Sequence, residues 1–86
     1  MKIQFSKSSW EDYNSWLTND EIVLQKINRL IKEIQFASNQ GSGKAIPLKF
    51  DLNGLFSRYI HKEHRLIYQV SGDELRIYSC RYHYDK

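Results

Sequence analysis

After a short alternating stretch at its start, this 86-residue chain spaces its apolar side chains first at three or four residues and then, from Leu55, at two. That change predicts a helical first part and a sheet-forming second part. Lys2 to Phe5 alternates polar and apolar residues, predicting a short strand with Ile3 and Phe5 inward. Ser8-Ser9-Trp10-Glu11 has the spacing of a capping box. Trp10, Tyr13, Trp16 and Leu17 then recur at helical intervals. Thr18-Asn19-Asp20-Glu21 repeats the cap pattern and opens a second predicted helix, ending near Ala37-Ser38. There Val23, Ile27, Leu30, Ile31 and Ile34 form an apolar stripe, with Lys26, Arg29 and Glu33 on the wet face.

Ser38 to Lys44 is a loop by composition, and it lacks the spacing of a phosphate-binding loop. Leu48-Lys49-Phe50 after Pro47 reads as a short edge strand, and Asp51-Leu52-Asn53-Gly54 as a turn. Beyond Leu55, Phe56 to Ile60, Arg65 to Val70 and Glu74 to Arg81 alternate as strands, joined at His61–His64 and at Ser71-Gly72-Asp73. Leu66, Tyr68 and Val70 share one face; Arg65, Ile67 and Gln69 share the other. The predicted order is β-α-α-β-β-β-β over one domain, 1–86: an α+β fold with two helices on one face of a mainly antiparallel sheet.

Composition narrows the class. A chain this short supports one modest core, and no apolar run reaches the ~18 residues that a membrane-spanning helix needs. The first seven residues carry no signal-peptide apolar region, so a cytoplasmic protein is expected. Cys80 is the single cysteine; no structural zinc, metal or cofactor is expected, and Cys80 reads as a small core residue. The net charge of +3 arises entirely after residue 39. A basic half beside a neutral half suits a polyanion or an acidic peptide, or is an ordinary solvated surface.

The candidate chemistry lies in Ser57 to Tyr68 and in Arg81-Tyr82-His83-Tyr84. Cleaving RNA without a metal requires a base for the 2′-hydroxyl, cations for the charge developing on phosphorus, and an acid for the leaving 5′-oxygen. His83 titrates in the useful range, Arg65 can grip phosphate bidentately, and Tyr82 or Tyr84 can stack on a base. Arg65 has a second reading as a surface partner of Glu63, His83 as part of a frayed tail, and His64 as a structural or capping residue.

Four motifs carry a resemblance: Gly41-x-Gly43-Lys44-x-x-Pro47-Leu48-Lys49, Leu52-x-Gly54-x-x-Ser57-Arg58-x-Ile60, Glu63-His64-Arg65-Leu66-Ile67-Tyr68 and Arg81-Tyr82-His83-Tyr84. Together with Trp10, Tyr13 and Lys26-Ile27-Asn28, this resembles the Txe/YoeB toxins of bacterial toxin–antitoxin systems, within the RelE/ParE superfamily. The resemblance implies a microbial-ribonuclease-like fold, metal-independent mRNA cleavage in the ribosomal A site, and a block of translation. Its implied partners are the ribosome, mRNA and a cognate antitoxin with an acidic or disordered neutralising segment; whether a second copy joins it in a homodimer is left open by the sequence. By position, Arg65 would stabilise the transition state, His83 would be the general acid, and Tyr84 would orient substrate. Lys49 would contact phosphate, and Lys44, Arg58, Tyr59, Arg81 and Tyr82 are the further expected RNA contacts.

Two positions depart from the family pattern. Ile46 stands where the family usually has its general-base glutamate, and Tyr59 where it commonly has a second arginine. Losing a base costs ~10²–10⁴-fold, and Glu63, His83 and Lys49 are the candidate replacements, Glu63 being the nearest. Two further functions fit the resemblance: an attenuated toxin that binds antitoxin and ribosome as a regulator, and a ParE-like gyrase poison, against which the intact Arg65 and Tyr82-His83-Tyr84 argue.

Overall fold

The structure, a computed structural model, describes residues 1–37, 46–47 and 54–82, with the backbone alone at 37, 46 and 47. The order is β1 (Lys2–Phe5), α1 (Lys7–Asn19), α2 (Glu21–Ala37), β2 (Ile46–Pro47), β3 (Phe56–His61), β4 (His64–Ser71) and β5 (Glu74–Ser79). This is the expected α+β succession. The predicted loop 38–44, the strand at 48–50 and most of the 51–54 turn lie outside the described residues.

The strands form one sheet in the order β1-β5-β4-β3-β2. β2 to β5 make an antiparallel meander, and β1 returns parallel to β5 at the edge. Ile3 is aligned with the buried Leu75, yet it is 40% exposed. An edge strand has a neighbour on one side only, so facing the core does not bury Ile3 as the alternation suggested. Phe5 is partly buried, and its ring meets Trp10 and Tyr13 at 5.2 Å each.

Both helix starts differ from the capping boxes read in the sequence. Ser6, still in extended backbone, caps α1: its Oγ accepts from the Ser9 amide at 3.1 Å, which leaves Ser8 inside the first turn. Ser6→Ala is expected to cost about 1 kcal/mol, read as a fall of about 4–8 °C in melting temperature. α1 also runs through Thr18, and Asp20 serves both helices. Its amide donates to Trp16 O at 3.0 Å to close α1. Its Oδ1 accepts from the Ile22 and Val23 amides at 3.1 and 3.3 Å to open α2. One extended residue therefore makes the whole helix–helix connection.

The apolar stripe of α2 is buried as expected, and Leu24 joins it. With Trp16 it packs on Ile60, Leu66, Tyr68, Leu75, Ile77 and Cys80 of the sheet side. Of the α1 residues grouped by spacing, Trp16 is buried, whereas Trp10 and Leu17 are exposed. Buried Ser9 binds the layers together, its Oγ lying 2.7 Å from Ile77 O. Ile67 is also buried but lies outside this cluster, on the opposite sheet face.

Candidate active site

The β3–β4 hairpin and the end of β5 bring the candidate residues together. Pairing sets Tyr59 opposite Arg65 and Ser57 opposite Ile67, so these four share the face away from the helices. Arg58 pairs with Leu66 on the helix face. The hairpin turns at Lys62-Glu63, with Lys62 at a positive φ of 51°. Such backbone is costly for a residue with a side chain, and it is held at both ends. The Tyr59 hydroxyl accepts from the Lys62 amide at 2.9 Å, and Arg65 Nη1 donates to Lys62 O at 2.6 Å.

The same contacts orient Arg65. Nη1 also donates to His64 O at 3.0 Å, and the guanidinium carbon lies 4.7 Å from the centroid of the Tyr59 ring. A cation over a tyrosine face is attracted by the ring's negative π-surface. Among the described residues, the hydrogen bonds of Arg65 engage Nη1 alone, and Nε and Nη2 make none. A guanidinium braced in this way meets a phosphate with little conformational entropy left to lose.

On the helix side, the chain after β5 is fastened to the hairpin. The Arg65 amide donates to Tyr82 O at 3.3 Å, and the Tyr82 amide donates to His64 Nδ1 at 2.9 Å. The His64 ring meets Trp16 edge-on at 4.8 Å and Tyr82 at 5.1 Å. Burial lowers the His64 pKa from its usual value, with Glu63 pulling the other way. His64 is thus a structural residue, one of the two readings its sequence context allowed. Cys80 is fully buried, and burial with nearby Asp12 pushes its thiol up to about 12, which makes it an inert core residue.

The structure corrects one RNA-contact expectation. Arg58 has no exposed surface: its Nε donates to the Tyr68 hydroxyl at 3.1 Å, and its Nη1 lies 3.7 Å from Glu33 Oε1. Strand alternation places it with Phe56 and Ile60 on the helix face. Glu33, assigned to the wet face, is its half-buried partner. Arg81 also turns toward α1, where Nη1 donates to Ser15 Oγ at 2.7 Å and the guanidinium lies over Trp16 at 4.7 Å. Tyr59 and Tyr82 stay exposed, at 48% and 44%. Exposed Glu63 has its carboxylate 3.7 Å from His64 Nε2. The backbone of Ile46 pairs with Ser57. Lys44, Lys49, His83, Tyr84 and the side chain of Ile46 lie outside the described residues. Among the described residues, no three His, Cys, Asp or Glu side chains gather as a metal-ligand set.

Two helices on one face of a mixed sheet, with a braced arginine on the other face, define a small toxin fold of the RelE/ParE kind. The chain belongs to the YoeB-like toxins of bacterial type II toxin–antitoxin systems, whose family profile matches residues 5–84. It is 48% identical to the toxin YoeB of Escherichia coli K12 over 84 residues, which is 98% of this chain and 100% of that one. A YoeB dimer from Staphylococcus aureus superimposes with a TM-score of 0.91 at 42% identity, covering 98% of each chain. The heterotetrameric YoeB-YefM toxin–antitoxin complex of S. aureus contains a chain similar at a TM-score of 0.88 and 42% identity, again with 98% of each covered.

Proposed function

We propose that this toxin is a metal-independent endoribonuclease that cleaves mRNA in the ribosomal A site and so stops translation. One observation carries the reading: Arg65 is braced by its neighbours, and its backbone is bonded to Tyr82, one residue before His83. Arg65 stabilises the charge that builds on phosphorus, and His83 protonates the leaving 5′-oxygen. Tyr84 orients the substrate, Lys49 and Lys44 contact phosphate, and exposed Tyr59 and Tyr82 offer rings for base stacking. Glu63 is the nearest carboxylate to take the 2′-hydroxyl proton in place of the family's glutamate. The toxin works in the cytoplasm, where ribosomes are, and is neutralised by an antitoxin with an acidic or disordered segment. The YefM-bound and dimeric relatives support antitoxin binding and self-association.

The test is cleavage of mRNA on programmed ribosomes, mapped by primer extension. Breaks within the A-site codon that need the ribosome are expected; intact message at micromolar toxin would overturn the reading. Ile46 supports a second reading, an attenuated toxin kept for binding antitoxin and ribosome. Ile46→Glu separates the two by degree. If a substitute base works poorly, this variant cleaves about 10²-fold faster than the parent chain; an unchanged rate would show that the base is already supplied.

A further inference from the structure

We propose that His64, in its neutral form, is a positioning residue that seats the Tyr82 backbone against Arg65 by accepting the Tyr82 amide, and that protonating this one ring unseats it. The proposal rests on the functional reading above, because His83, the candidate acid, follows Tyr82 directly in the sequence.

The geometry fixes the protonation state. An amide hydrogen directed at Nδ1 over 2.9 Å requires a lone pair there. The ring proton therefore sits on Nε2, on the side of the Glu63 carboxylate at 3.7 Å. An imidazolium has donors at both nitrogens and cannot accept the bond. Tyr82 needs such a bond. Its φ of 63° is left-handed backbone on a residue with a large side chain, and it is stabilised by partners at both ends of the residue. His64 takes the amide, and the Arg65 amide takes the carbonyl at 3.3 Å. The rings add a stack: Trp16 edge-on to His64 at 4.8 Å, Tyr82 beside His64 at 5.1 Å, and the Arg81 guanidinium over Trp16 at 4.7 Å and over Tyr82 at 5.5 Å.

The groups that bear on the charge of His64 are Glu63 and His61 in the hairpin, Arg65 on its own strand and Arg81 just after β5; α1 packs the uncharged Trp16 against it. Burial lowers the pKa of His64 most. Arg81, His61 and Arg65 act in the same direction, and Glu63 opposes them. The latch is thus closed above the usual histidine value of 6.5 and opens as pH falls through the lower folded value.

Amide hydrogen exchange at Tyr82 in the full chain, expressed as a protection factor, tests the proposal. The parent protein should lose protection on acidification, with a midpoint below pH 6.5. His64→Asn keeps an acceptor near the Nδ1 position and does not titrate, so protection should persist at all pH values. His64→Ala should lose protection about tenfold throughout, the equivalent of one hydrogen bond. In the cleavage assay at neutral pH, His64→Ala should lower kcat about tenfold with KM little changed, and His64→Asn should restore it. Protection that is flat with pH in the parent, or equal in His64→Ala, overturns the latch. A latch seen by exchange with full cleavage by His64→Ala overturns the positioning role. Exchange is read without RNA, so a parent chain that cleaves nothing while showing the titrating amide contradicts the ribonuclease reading and not the latch.

Discussion

Arg65→Ala is expected to reduce ribosome-dependent mRNA cleavage by about 10²–10³-fold, the usual cost of removing one preorganised donor from a developing oxyanion. The loss should fall on kcat, because the braced guanidinium is placed for charge that appears only in the transition state. Arg65→Lys keeps the charge but cannot form two parallel bonds, and its stem cannot reproduce both Nη1 contacts to Lys62 O and His64 O. It should recover only part of the rate. Single-turnover kinetics on programmed ribosomes, with a thermal melt of each variant, separate chemistry from folding. Arg65→Ala also removes a brace from the Lys62 turn, so a fall of a few degrees in the melt is compatible with the account. Cleavage within twofold of the parent would exclude Arg65 from the chemistry.

Arg58→Ala should act on stability. It removes a fully buried cation and leaves Glu33 and the Tyr68 hydroxyl without it. Breaking a buried pair from one side costs about 3–5 kcal/mol. Glu33 keeps some solvent, so the lower end applies, about 3 kcal/mol, or roughly 12–24 °C for a domain of this size. Removing both charges together, as Arg58→Met with Glu33→Gln, should recover part of the loss, because neither charge of this pair is then left buried without the other. Calorimetric melts of the three variants decide it. If Arg58→Ala melts within about 3 °C of the parent, the ion pair contributes little to stability.

The same residue shows how far the sequence could be read. Phe56-x-Arg58-x-Ile60 is a plain alternation, and it places Arg58 on the apolar face. Residue type, a basic side chain in the basic half of the chain, points instead to an RNA contact. The α2 stripe and the three long strands were legible because their periods persist over many residues. The caps were not, since Ser6 and Asp20 compete with nearby serines and threonines, and the backbone geometry decides which one caps. The paired roles of Tyr59 and Lys62 depend on a hairpin turn with a positive φ in a residue that is not glycine, which no spacing announces. The His64–Tyr82 bond joins residues 18 apart and required the β4–β5 register to be known.

The most direct measurement is primer-extension mapping of mRNA on programmed ribosomes with the parent chain, His83→Ala and Ile46→Glu side by side. A-site cleavage by the parent, its loss in His83→Ala, and faster cleavage by Ile46→Glu are the expected results. Cleavage by the parent that survives His83→Ala, or no cleavage by any of the three, would contradict the proposed mechanism.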